Sequence, residues 1–273
     1  MPQSEVVFIS SITSDIGLHC ARRYAADGCE VYGTYRSTKL LPELSFVPPE
    51  RLYFADLRDA ASVDEAAAKF NATGRQWNTF MSCAAQPGPL TSFFRTGFDE
   101  WSQSVHVNAI EQLRALHAIG TSMAAGGANA VFYAGPATNN AVANFSPLAL
   151  SKIMLIKMCE LLDAENPDLN AFIVGPGWTR TKTHFDIIND PGVSKEKYDE
   201  TVRFLETQTG TNLDDIYDCI RWCSAQGRKV AGGRNFSVVH DCWGDKALAA
   251  QLLRDSDMYK LRRHGNSWKE NTN

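Results

Sequence analysis

Ser11, Ser14, Asp15 and Gly17 fall within one short stretch, directly behind the apolar run Val6-Val7-Phe8-Ile9. An apolar run that ends in small polar residues and passes into a helix-like pattern reads as a buried strand, a tight turn and a helix N-terminus. Free backbone N–H groups and the positive end of the helix dipole make such a junction a cradle for phosphate. Ser11 is small enough for close backbone approach, while the Asp15 carboxylate either repels a bound pyrophosphate or caps the helix dipole. A strand, turn and helix with no ligand is the plain alternative. A second candidate pair, Tyr35-Arg36, ends the next apolar segment. At that strand end an acidic residue accepts from the adenosine ribose hydroxyls, and a basic one pairs with a 2′-phosphate. Arg36 therefore favours NADP over NAD, a solvated surface arginine being the other reading. The seven cysteines (Cys20, Cys29, Cys83, Cys159, Cys219, Cys223, Cys242) are scattered. Nothing beside Cys219 and Cys223 completes a metal set, so we expect reduced thiols and no metal.

These residues need elements to hold them. The first helix runs from Gly17 through Leu18, Cys20, Ala21 and Tyr24 to a stop at Asp27-Gly28, and a second strand over 29–35 closes a βαβ unit. Further strands are expected at 52–54, 79–85 (a strand and its exit), 130–135, 171–174 and 236–240. Helices are expected at 60–70, within 98–125 as one or two pieces, from an N-cap at Ser146 with Pro147 in the first turn to 162, near 198–206, and at 213–225. Residues 182–200, with Asn189-Asp190-Pro191-Gly192, read as an irregular insertion, and 245–263 as a partly helical, polar tail. Alternating strands and helices specify α/β architecture with a doubly wound parallel sheet.

The opening turn resembles the TGxxxGIG fingerprint of the short-chain dehydrogenase/reductase family, with Ser11 and Asp15 at the first two glycine positions and Gly17 at the last. Further matches extend over residues 5 to about 244. Asp56-Leu57 stands where the family has an Asp near the adenine. Ser82 to Ala85, through Cys83 and Ala84, falls on the family's NNAG beside the nicotinamide ribose. Asn108 falls on an asparagine that kinks a helix and holds a water for proton relay, although an interior polar residue with a structural partner explains it equally. Pro176-Gly177-Trp178-Thr179-Arg180-Thr181 matches PGxxxT at the nicotinamide end. The resemblance implies a single Rossmann-type domain over 1–244 with a substrate lid at 182–208, followed by a tail at 245–273. It implies an NAD(P) cofactor held by Ser11, Ser14, Asp15, Ile16, Gly17, Tyr35, Arg36, Asp56, Leu57, Cys83, Ala84, Ala85, Lys152, Pro176, Gly177, Trp178, Thr179 and Thr181. It also implies a homodimer or homotetramer built on helices near 100–126 and 147–163.

The departure lies in the catalytic group. Family members carry a tyrosine four residues before a lysine, on one helix face, and a serine thirteen residues before the tyrosine. Lys152 is present, but Leu148 holds the tyrosine position and Gly135 (or Ala134) the serine position. The wider spacing of enoyl reductases falls on Phe145. Loss of a positioned acid costs about 10²–10⁴-fold, so either another group moves the proton or the usual carbonyl reduction is lost. Tyr133, His184, His240 and Asp241 are the substitutes considered. Three readings follow: an atypical NADP-dependent oxidoreductase using Lys152 and Asn108, a degenerate dinucleotide-binding sensor or assembly subunit, and a scaffold that no longer binds nucleotide. For the first, the substrate is a hydroxylated or carbonyl small molecule. A loose likeness of GRNFSVVHDCWG to family members of surface-polysaccharide pathways suggests a sugar derivative.

The totals agree with this. The chain has 273 residues, 44% of them hydrophobic, and a net charge of −4, which gives no general reason to expect nucleic acid or an anionic membrane as a partner. No apolar run reaches membrane-span length and no signal-peptide charge pattern opens the chain, so a cytoplasmic protein is expected.

Overall fold

The computed structural model describes residues 4–207 and 210–263. Seven strands form one parallel sheet: β1 (Val6–Ser10), β2 (Glu30–Tyr35), β3 (Leu52–Phe54), β4 (Thr79–Ser82), β5 (Ala128–Tyr133), β6 (Leu169–Gly175) and β7 (Asn235–Ser237), in the order β3-β2-β1-β4-β5-β6-β7. The order reverses between β1 and β4, the switch point at which an open α/β sheet leaves a crevice for ligands. Because both faces are covered, the strands read as continuous apolar runs, not alternating ones. Along β1, Val6 and Phe8 join one core layer with Phe70, Trp77, Phe80 and Phe132. Val7 and Ile9 join the other with Tyr24, Phe172, Tyr217 and Phe236.

The first layer is capped by α2 (Ala60–Asn71), α3 (Phe98–Val105), α4 (Glu111–Ala118) and α5 (Ser146–Glu165). The second is capped by α1 (Asp15–Ala26), α8 (Leu213–Gln226), the short α9 (Arg228–Ala231) and α10 (Lys246–Arg254); α6 (Lys182–Asn189) and α7 (Lys195–Thr207), where the resemblance implies a lid, pack against each other. Several boundaries differ from expectation for local reasons. The 98–125 segment is broken by a π-helical turn, His106–Ile110, and its helix stops at Ala118. Ser146 is not the N-cap of α5. Phe145 is, and Ser146 Oγ instead accepts from Trp101 Nε1 at 3.0 Å. The start of the 182–200 insertion is helical because Asp15 accepts from Lys182 N, a first-turn donor of α6. β7 stops at Ser237, where the Asp241 carboxylate takes the Ser237 N–H at 2.6 Å. The tail assignment 245–273 is helical only over α10, and residues 264–273 lie outside the described residues.

The segment behind β7 is held by one cation. The Arg234 guanidinium is 3% exposed and donates to the carbonyls of Lys229, Val230, Leu252, Asp255 and Met258 at 2.6–3.3 Å. It thereby ties α9 and the end of α10 to the sheet. Arg234→Met would leave those acceptors buried without a donor, at a cost of about 2–4 kcal/mol. The expected outcome is a lower urea midpoint and new limited-proteolysis cuts within 246–263; unchanged stability and protection would refute this role.

Candidate functional site

The turn between β1 and α1 is built by close backbone approach. Ser11 sits at φ 60, the left-handed region that a side chain enters at a cost of about 1–2 kcal/mol. Its N–H donates to Thr34 Oγ1 at 3.0 Å, and its carbonyl accepts from Ser14 N at 3.0 Å. Ser14 caps α1, its Oγ accepting from Gly17 N at 3.1 Å. A Cβ on Gly17 would stand 2.8 Å from both Ser11 O and Ser14 Oγ, so only glycine fits there. Ser11, Ser14, Ile16 and Gly17 thus come together as the sequence implied. Asp15 lies in the first turn of α1, at the positive end of its dipole. Its carboxylate accepts from Lys182 N at 2.8 Å, joining the turn to the lid helix α6.

On the adenosine side, Tyr35 ends β2 with its ring 6.2 Å from Phe54. Arg36 is exposed and makes no ion pair among the described residues, with the Asp56 and Asp186 carboxylates in its field. Asp56 is held below the usual carboxylate range, chiefly by hydrogen bonds from Arg58. Burial moves Asp186 upward. Leu57 is buried beside Asp56.

At the other end of the crevice, Lys152 is 3% exposed and makes no hydrogen bond or ion pair among the described residues. Burial pushes its ammonium down to about 8. Its aliphatic stem lies over Gly135, where a Cβ would meet Lys152 Cγ at 3.0 Å and Cε at 3.6 Å. Cys83 lies close enough to act on it, and burial moves that thiol well upward. Leu148 is buried with Leu90, Phe145 and Ile187. Both positions where the family keeps its phenol, 148 and 145, are therefore part of an apolar wall.

Asn108 lies in the π turn, buried, with its amide fully engaged. Oδ1 accepts from Gln86 N, and Nδ2 donates to Gln86 O and Ser104 O, at 2.8–2.9 Å. Its carbonyl accepts from Gln112 Nε2 at 3.0 Å. Gln112, which the sequence reading missed, also donates to Ala84 O and accepts from Ser82 Oγ, fixing the exit of β4 through Ala84 and Ala85. Its only signal was a second interior polar residue one turn after Asn108.

The turn after β6 is equally tight. Gly177 has φ +71, and a Cβ there would strike Val239 Cγ2 and Thr211 Oγ1. Thr179 donates to Pro176 O at 3.2 Å, and Thr181 is the N-cap of α6. Trp178 stacks on His184 and packs against Phe204, with Lys197 Nζ 4.4 Å above its ring. This aromatic knot of the lid was not expected from the sequence. Burial lowers His184.

Of the other substitutes for the missing acid, the Tyr133 phenol is buried without a hydrogen-bond partner and burial moves it well upward. Asp241 is engaged with Ser237 N, and His240 is exposed. Among the described residues no group of His, Cys, Asp and Glu is arranged to hold a metal, and no helix is long and apolar enough to cross a membrane.

The residues fit a dinucleotide. The turn at Gly17 leaves no room for a Cβ, and among the described residues Arg36 has no ion-pair partner and the buried Lys152 no acceptor. Ser11, Ser14, Ile16 and Gly17 would face the pyrophosphate, Arg36 the 2′-phosphate, and Lys152 the nicotinamide ribose.

A family model described as enoyl-(acyl carrier protein) reductase matches residues 12–209. No curated protein matches the sequence. Among solved structures, a short-chain dehydrogenase/reductase from Saccharomyces cerevisiae is 17% identical with a TM-score of 0.78, covering 90% of this chain and 99% of that one. A protein from Shigella flexneri, described as a short-chain dehydrogenase and solved with NADP, is 16% identical with a TM-score of 0.72, covering 86% and 96%. These likenesses carry the fold.

The lowered Lys152 makes a stability prediction. Between about pH 8 and its ordinary value of 10.5 the folded chain binds fewer protons at this site than the unfolded one. The penalty is therefore complete below pH 8 and fades as pH rises toward 10.5. Lys152→Met is expected to stabilise the cofactor-free protein by roughly 1–3 kcal/mol at pH 7, with the gain shrinking by pH 10. Denaturant melts at the two pH values measure it, and a pH-independent difference would contradict the assignment.

Proposed function

Because the chain belongs to the short-chain dehydrogenase/reductase family, whose members bind NAD(P), we propose that it is an NADP-dependent oxidoreductase of a small carbonyl or hydroxylated compound, working without the family's tyrosine and serine. The observation that carries this reading is Lys152, a buried lysine with no hydrogen-bond or ion-pair partner among the described residues, in a chain whose β1–α1 turn keeps its close-packed geometry. In the bound state the reduced dinucleotide supplies hydride. The chain's own residues orient it, Lys152 at the ribose and the turn of residues 176–181 beside the nicotinamide. Asn108 and Gln112 fix the strand exit beneath it.

A second reading, a dinucleotide-binding sensor or assembly subunit, is favoured by the apolar cluster of Leu90, Phe145, Leu148 and Ile187: Leu148 has no proton to give, and it is packed as core. Both readings place the protein in the cytoplasm, in keeping with seven free cysteines. We also propose a homodimer or homotetramer, supported by the exposed apolar face of Leu150, Met154 and Leu161 on α5.

Titration with NADPH and NADH, followed by nicotinamide fluorescence, tests the cofactor. Arg36→Ala is expected to weaken NADPH by about tenfold or more and leave NADH unchanged; no binding of either nucleotide would sink both readings. Leu150→Glu combined with Met154→Glu is expected to reduce the light-scattering mass to that of a single chain. A wild type that is already monomeric would overturn the assembly proposal.

A further inference from the structure

The polar groups around the catalytic end are nearly all committed. Ser82 Oγ donates to Gln112 Oε1 at 2.9 Å, Ser151 Oγ to Pro147 O at 2.6 Å, and Thr179 Oγ1 to Pro176 O at 3.2 Å. Thr138 Oγ1 donates to Gly135 O at 3.3 Å, and the Asn108 amide is shared between Gln86 and Ser104. The His184 ring is held between Trp178 and Phe204 in the lid. The Tyr133 phenol lies on β5, near the Cys83 and Cys20 thiols.

Lys152 is different. It is a multiple proton donor with no acceptor among the described residues, and its stem fills the space over residue 135. A side chain at 135 would have its Cβ 3.0 Å from Lys152 Cγ, so a serine there would compete for the volume the lysine now occupies. Nothing at 148 intervenes with a polar atom, because Leu148 is turned into the apolar cluster with Leu90 and Ile187.

We propose that Lys152 is itself the acid of this site, its ammonium delivering to the substrate oxygen the proton that a phenol delivers in other members of the family. The inference rests on the oxidoreductase reading above. As hydride reaches the carbonyl carbon, the C=O π pair moves to oxygen, one Nζ–H bond breaks and an O–H bond forms. The carbonyl gains two electrons, the dinucleotide loses two, and the lysine is left as a neutral amine that takes its next proton from water. An ammonium can bond to ribose and to substrate together, since it carries three donors.

The chemistry suits a desolvated lysine. At about 8, the site is protonated at neutral pH yet gives up its proton far more readily than a surface lysine. The titratable groups facing it are the Cys83 thiol and, behind that, the Tyr133 phenol and the Cys20 thiol. Burial drives all three upward, Cys20 to about 12 and the others well above their ordinary values. A break in rate near pH 8 would therefore belong to Lys152.

The experiment uses the full chain and Lys152→Arg, which keeps a positive charge but cannot release its proton near neutrality. Nicotinamide fluorescence first establishes NADPH binding by each protein. Reduction of benzaldehyde, 2-cyclohexenone and 9,10-phenanthrenequinone is then followed by loss of NADPH between about pH 6 and pH 10. The expected wild-type rate is level below about pH 8 and falls tenfold per pH unit above it. The arginine variant is expected to bind NADPH within about threefold of wild type and to lose about 10²–10⁴-fold in rate. Independently of activity, ¹³C NMR of the lysine ε-carbons in cofactor-free wild type should show one resonance, missing from the variant, that titrates near pH 8. An arginine variant that keeps the wild-type rate overturns the proposal. So does a wild type that binds NADPH but reduces none of the three probes, or a Lys152 resonance that titrates at its ordinary value of 10.5. Failure of the wild type to bind NADPH would overturn the oxidoreductase reading itself, a result separate from these.

Discussion

The architecture depends on how closely the backbone of the β1–α1 turn approaches its neighbours. Gly17 brings the start of α1 against Ser11 O, and Gly33 brings β2 against the turn, where a Cβ would lie 2.8 Å from Ile9 O and from the Ile12 side chain. Neither distance admits a larger residue. β1 is central in the sheet, paired with β2 on one side and β4 on the other. A turn displaced outward would move α1 and open the crevice at the switch point. The left-handed Ser11 is tolerated because its N–H and carbonyl both find partners, Thr34 and Ser14.

The Lys152 end of the sheet is governed by the opposite tendency, the exclusion of water. Leu148 and Phe145, at the two spacings where a family member keeps its tyrosine, are buried with Leu90 and Ile187. In that setting an ammonium loses hydration it cannot recover from protein acceptors, and its affinity for a proton falls. The same desolvation strengthens any contact it makes with a bound oxygen. Stability and reactivity of Lys152 are therefore coupled through one variable, the apolarity of its surroundings.

Much of the fold was legible because its signals are local. Apolar runs that end in small polar residues fixed β1 and β3 to within a residue and the start of β4, and Asp27-Gly28 marked the end of α1. The tight β1–α1 turn was legible in spite of Ser11 and Asp15, since Gly17 carries the steric requirement and Ser14 the cap. What escaped the reading depends on partners distant in sequence. Gln112 matters through Ser82 and Ala84, Asp15 through Lys182, and the lid's aromatic knot through Phe204, which lies far from Trp178 along the chain. Ser146 was mistaken for a cap because its actual partner, Trp101, lies on another helix. Gly135 could be recognised as a missing serine, but its service as a bed for the lysine stem required coordinates.

The contact between Asp15 and α6 ties geometry to charge. While α6 is seated, the Asp15 carboxylate is offset by the Lys182 N–H and the helix's positive end, with Lys182 Nζ 3.5 Å from Thr13 O beside it. Without that N–H the Asp15 carboxylate would keep only the positive end of its own helix α1, in whose first turn it lies. One carboxylate is thus shared by two helix N-termini, so the seating of α6 and the net charge at the β1–α1 turn are set by the same contact.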